Sequence, residues 1–138
     1  HRARLAEQRW AFFAALAPAV EAAVQALRGS GRDANVLVLG GVGVSAAVAA
    51  RAGASVTVWE QQESVAGVLR GVIEANGVSD RALVIAGREG SQLQPQVRRA
   101  DIVVLEGLEP DGVLGCGALE QLQRVAAMRM AARGGAPG

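Results

Sequence analysis

Four short runs of β-type composition recur along the chain: residues 36–39 (Val-Leu-Val-Leu), 55–59 (Ser-Val-Thr-Val-Trp), 83–86 (Leu-Val-Ile-Ala) and 101–105 (Asp-Ile-Val-Val-Leu). Between them lie stretches of helical period. Phe12, Leu16, Ala19, Ala23 and Leu27 repeat at helical spacing over residues 4–27, and Pro18 is expected to break that stretch into two helices. Residues 44–52 are long enough for two or three turns, with Gly53 as the stop. Residues 62–75 carry Val65, Val68, Leu69 and Val72 on one side and end at Asn76-Gly77. A polar stretch over 87–99 contains Pro95 and room for one helical turn. A loop over 106–115 precedes a last helix over 117–132.

The runs over 36–39, 83–86 and 102–105 do not alternate apolar with polar, so both of their faces are buried, and helices between such strands are what a parallel sheet needs. The expected fold is therefore α/β: a Rossmann-like parallel sheet flanked by helices and preceded by an N-terminal helical segment. Residues 1–33 form that segment, 34–133 the Rossmann-like cofactor-binding domain and 134–138 a tail. Complete folds of this class normally have more strands, so four suggest a partial domain. The start at His1 rather than Met agrees with a piece of something longer.

Composition narrows the chemistry. Hydrophobic residues make up 51% of the 138, enough for one compact core. All 14 basic residues are Arg, and Lys and Tyr are missing, which excludes Schiff-base chemistry, a P-loop lysine and a tyrosine acid or base. The one His is His1 and the one Cys is Cys116, so zinc sites and His-dependent nucleophiles drop out. With no His or Lys at hand to activate it, Cys116 reads as inert. The net charge of +1 creates no field that would draw nucleic acid or anionic lipid, so neither is an expected direct partner. The uncharged run over 34–50 is interrupted by Gly40, Gly41 and Gly43, which argues against a membrane span. A lone cysteine fits a reducing, intracellular setting, cytoplasmic or nuclear.

The candidate site follows the first strand, where Gly41, Gly43 and Ala46 satisfy the spacing G-x-G-x-x-G/A. Gly40, Gly41 and Gly43 allow a tight reversal and a close approach of backbone to ligand, and the helix beyond presents free N–H groups. Glu60 ends the second strand, where a crossover brings its carboxylate beside the glycines to accept hydrogen bonds from ribose hydroxyls. A plain tight turn and a solvated strand end are the competing interpretation. Trp59, beside Glu60, reads as core. The signature does not separate a nicotinamide dinucleotide from S-adenosylmethionine.

Longer segments carry a resemblance. They are Phe12-Phe13-Ala14-Ala15-Leu16-Ala17-Pro18-Ala19-Val20, Ala52-Gly53-Ala54, Val58-Trp59-Glu60, Glu74-Ala75-Asn76-Gly77-Val78-Ser79-Asp80, and Ile102-Val103-Val104-Leu105-Glu106 with Leu114-Gly115-Cys116-Gly117-Ala118-Leu119. In these the chain resembles the class I S-adenosylmethionine-dependent methyltransferases, and within them the protein arginine N-methyltransferases, most of all the type III branch. The resemblance implies S-adenosyl-L-methionine as cofactor and an arginine-containing protein as substrate, and it admits a homodimer of the full-length protein. It places Glu106 on the substrate guanidinium, which carboxylates grip by charge-assisted hydrogen bonds. It also places Glu89, after the third strand, near adenine, with a solvated acid as the alternative.

Several positions depart from the family's pattern. Its second glutamate falls on Cys116, a residue that as a neutral thiol offsets no cation. The loop before it is one residue longer than the family's, which offers Glu109 or Asp111 as substitute. Val38 stands where the family has an acidic residue, Ala17 where it has an arginine for the cofactor carboxylate, and Phe12 and Phe13 where it has tyrosines. These departures support a rival reading, a catalytically degenerate scaffold or regulatory module. A third reading is the NAD(P)-binding domain of an oxidoreductase, resting on Gly41, Gly43, Ala46 and Glu60.

Overall fold

The computed structural model describes residues 2–88, 91–106 and 116–134, with side chains described for 16–88, 92–106 and 121–131. Its elements in order are α1 (Arg2–Gly29), β1 (Asn35–Leu39), α2 (Val44–Arg51), β2 (Ser55–Glu60), α3 (Glu63–Ala75), β3 (Ala82–Ala86), a 3₁₀ turn (Ser91–Leu93), α4 (Gln94–Arg99), β4 (Ile102–Leu105) and α5 (Cys116–Gly134). All four anticipated strands are present, and they pair in parallel in the order β3-β2-β1-β4. The chain is the expected Rossmann-like α/β layer, with four strands among the described residues.

Side chains alternate between two cores, because successive strand residues face opposite ways. Val36, Val38, Val56, Val58, Val84 and Val104 pack on one face with residues of α1, α2 and α3. Leu37, Leu39 and Trp59 pack on the other with Leu93, Val97 and Val125 of the 3₁₀ turn, α4 and α5. Helices joining β1 to β2 and β2 to β3 thus lie on one face, and the segment joining β3 to β4 lies on the other. The change of side falls between β1 and β4, the topological switch point where open α/β sheets bind ligands at the carboxyl ends of their strands.

Three local expectations change. Pro18 does not divide the N-terminal helix, and α1 runs unbroken through it. A proline removes one N–H and crowds the preceding turn. Past it, Val20 and Val24 are buried against the core, and Arg28 Nη1 donates to the Ala52 carbonyl oxygen at the end of α2 (2.8 Å). Tertiary packing therefore holds the second half of α1 in line. In α3 the buried face is Ala66, Leu69 and Ile73, spaced i, i+3 and i+7, and Val68 is turned to solvent. The polar stretch before β4 is more ordered than one turn, because Leu93 and Val97, four residues apart, are both fully buried and fix one side of α4 on the sheet.

Candidate functional site

Each glycine of the turn after β1 serves a different contact. Gly40 extends the sheet, its N–H donating to the Trp59 carbonyl oxygen (2.9 Å). Gly41 has φ +95°, a backbone region that L side chains rarely adopt. A Cβ there would stand 2.6 Å from Glu106 Cβ and 2.6 Å from Glu106 Oε1. Gly43, at φ +91°, is the residue that opens α2, and having no side chain it cannot cap the helix. A Cβ on it would stand 3.0 Å from Val72 Cγ1 of α3.

The missing cap of α2 comes from another strand. Glu106, just past β4, is 2% exposed. Its Oε1 accepts the Val42 N–H (2.8 Å) and its Oε2 accepts the Ser45 N–H (2.9 Å). The parallel pairing of β1 with β4 sets this placement, with Leu39 opposite Leu105 and the Glu106 N–H donating to the Leu39 carbonyl oxygen (3.3 Å). Two charge-assisted hydrogen bonds and the positive end of the α2 dipole offset the cost of burying the carboxylate. Both oxygens of the residue that resemblance places on a substrate guanidinium are thus engaged within the fold.

Glu60 is partly exposed at the end of β2, one residue past the Leu39–Trp59 register pair and so beside the glycine turn. Its Oε1 accepts the Gln62 N–H (3.0 Å) at the start of α3, a helix that also lacks a side-chain cap of its own. Trp59 is fully buried, and its indole N–H donates to the Gly87 carbonyl oxygen (2.7 Å). The Gly87 N–H donates to the Glu60 carbonyl oxygen (3.0 Å), so these two bonds tie the end of β2 to the end of β3.

Glu106, Gly40, Gly41, Gly43 and Glu60 therefore lie together at the carboxyl ends of β1, β2 and β4. Glu89 and Glu109 lie outside the described residues. Among the residues that sequence reasoning missed is Gln121 of α5, buried, with Nε2 donating to the Trp59 carbonyl oxygen (2.9 Å). Ser45, whose N–H reaches Glu106, is also buried. No motif marks Gln121, and only the placement of α5 over the sheet brings it to the site. Among the described residues no group of His, Cys, Asp and Glu could hold a metal ion, and no helix is long and apolar enough to cross a membrane.

No family model and no curated protein matches the chain. Among solved structures it is similar to the O-methyltransferase TomG from Streptomyces achromogenes, involved in tomaymycin synthesis and solved in complex with SAM. That likeness has a TM-score of 0.57 at 16% identity and covers 84% of this chain and 49% of TomG. Cofactor-bound Rv0187 from MTB matches with a TM-score of 0.47 at 23% identity over 71% of this chain and 52% of that one. The chain thus spans about half the length of each. What it shares with TomG is the fold: a parallel Rossmann-like sheet flanked by helices, of the kind found in that S-adenosylmethionine-bound methyltransferase.

Proposed function

We propose that this chain is the S-adenosyl-L-methionine-binding part of a methyltransferase. The observation that carries the proposal is the position of Glu60 beside the glycine turn, next to the switch point of a sheet with the fold of an S-adenosylmethionine-bound enzyme. Oε1 of Glu60 already accepts the Gln62 N–H. Its second oxygen then accepts from the ribose hydroxyls of the adenosyl group. Gly41 and Gly43, both at positive φ, let the chain reverse tightly between β1 and α2, which sets the turn beside Glu60. The bound cofactor supplies an activated methyl group, and the work of the chain is to hold and orient it.

The finer reading, transfer to arginine in proteins, rests on the resemblance in the segments around Glu106 and Cys116. TomG is an O-methyltransferase and so lends support to methyl transfer but none to the arginine acceptor. A second reading, a methyltransferase-fold scaffold without catalysis, is favoured by one observation, the commitment of both Glu106 oxygens to backbone N–H groups.

Calorimetric titration with S-adenosylmethionine and S-adenosylhomocysteine, with Glu60→Ala as the site variant, tests the proposal. Saturable binding that Glu60→Ala abolishes is expected. A chain that melts cooperatively yet binds neither compound would overturn it in favour of the scaffold. For the acceptor, radiolabelled methyl transfer to arginine-rich protein should rise in Cys116→Glu, which restores the carboxylate of the family pattern. Unchanged transfer in a variant that binds cofactor would count against arginine.

A further inference from the structure

We infer that Glu106 is a built-in anion which closes this glycine turn to nucleotides held through a diphosphate, and so acts as a specificity-determining residue of the adenosyl site. The inference deepens the methyltransferase reading and rests on it for the identity of the ligand that is accepted.

The N–H groups at the start of a helix after a glycine turn are where a dinucleotide pyrophosphate is received, because they point outward unpaired and carry the positive end of the helix dipole. Here two of those donors, on Val42 and Ser45, already serve the two oxygens of one carboxylate. The space that a missing Cβ opens at Gly41, through which a phosphate would approach the backbone, is filled by Glu106 Cβ, Cγ and Oε1, all within 2.7 Å of the Cβ position. Glu106 is nearly fully buried and anchored by its own N–H to β1, so it is not an exposed side chain that swings aside at little cost. A diphosphate at this turn would have to displace the carboxylate from its donors or lie against a second negative charge within van der Waals distance. Both oppose binding. An adenosyl ligand joined to a sulfonium instead of a diphosphate brings no phosphate to these donors and so meets neither obstacle. The sequence spacing that left a dinucleotide and S-adenosylmethionine equally open is thereby resolved by a residue lying outside the glycine motif.

The test titrates the 138-residue chain, its Glu106→Ala variant and its Glu106→Gln variant with inorganic pyrophosphate, NAD and S-adenosylhomocysteine, while the Val42 and Ser45 amide resonances are followed. In the wild-type chain pyrophosphate and NAD are expected to leave both amides unmoved. In Glu106→Ala, which uncovers the donors, pyrophosphate and NAD should bind at least about tenfold more tightly than to wild type and shift both amides. Glu106→Gln keeps the volume and removes the charge, so it should show a smaller gain in the same direction and decides the matter if Glu106→Ala does not fold. Wild-type binding of NAD or pyrophosphate that shifts Val42 and Ser45 would overturn the inference, as would folded variants that gain no anion affinity. The pyrophosphate arm does not depend on the adenosyl reading, whose own failure would appear as absent S-adenosylhomocysteine binding in wild type.

Discussion

Gly41 and Glu106 occupy one another's space: the Glu106 side chain lies where a Cβ on Gly41 would stand, with Cβ and Oε1 each 2.6 Å from that position. The two residues are 65 positions apart in sequence and meet because β1 and β4 are parallel neighbours. The turn after β1 and the carboxylate after β4 thus behave as one packed unit, in which the glycine makes room and the carboxylate caps α2.

Gly41→Ala should therefore be more costly than a surface glycine substitution. Strained backbone alone accounts for about 1–3 kcal/mol, and displacement of the Glu106 side chain adds to it. A loss of about 2–4 kcal/mol in urea unfolding is the expected outcome. In Gly41→Ala/Glu106→Gly the two losses should fall short of additive by about 1 kcal/mol or more, because the second change removes Cβ, Cγ and Oε1, the atoms with which the first collides. Strictly additive losses would show that the two residues do not compete for space.

Trp59 offers a separate test of how the strand ends are held. Trp59→Phe removes the indole N–H that donates to the Gly87 carbonyl and leaves most of the ring volume, so a loss of about 1–2 kcal/mol is expected. Trp59→Ala empties a fully buried site and should cost about 3–5 kcal/mol. Urea titration followed by circular dichroism separates the two, and a Trp59→Phe variant as stable as wild type would mean the Gly87 bond adds nothing net.

Much of this fold is legible in the sequence, for identifiable reasons. The four strands stand out because Val36 to Leu39 and their counterparts are too short and too β-branched to be helices and are closed off by turn residues. Gly53 and Asn76-Gly77 end α2 and α3 as anticipated, and the glycine spacing marks the turn after β1. Pro18 misleads because local propensity does not report the packing of Val20 and Val24 that keeps α1 continuous. The direction of Glu106 is illegible for a similar reason. A carboxylate just past a strand end can face outward to a ligand or inward to a neighbouring helix, and only the β1–β4 register decides. Gln121 carries no signal at all, since a glutamine in a helix of mixed polarity is ordinarily solvated.

Asp101 joins three segments at the other end of the sheet. Its Oδ1 accepts from Arg32 Nη2 (3.0 Å), its Oδ2 accepts the Asn35 N–H (2.9 Å), and its own N–H donates to the Asn35 carbonyl oxygen (2.8 Å). The Arg32 side chain is 63% exposed, so the ion pair is screened and Arg32→Ala should cost less than about 0.5 kcal/mol. Asp101→Ala also frees the Asn35 N–H at the start of β1 and should cost about 1–2 kcal/mol. Equal losses in the two variants, both erased by high salt, would put the weight on the ion pair instead.

Gln121 is the most discriminating position in α5. The Trp59 carbonyl oxygen that it reaches also accepts the Gly40 N–H, so this acceptor stays satisfied when the glutamine is replaced by an apolar side chain. Gln121→Leu should accordingly cost under about 1 kcal/mol. Gln121→Glu is the harsher change although it is nearly isosteric, because near neutral pH it turns a donor into a buried charged acceptor facing a carbonyl oxygen. A loss of about 2–4 kcal/mol is expected there. Protonation of the introduced carboxyl restores a donor, so the folded state binds that proton more readily than the unfolded state, and stability relative to wild type rises as pH falls. The two variants should converge toward about pH 4 in paired urea titrations. If Gln121→Leu is as damaging as Gln121→Glu at every pH, the side chain matters for its packing, and the bond to Trp59 contributes little.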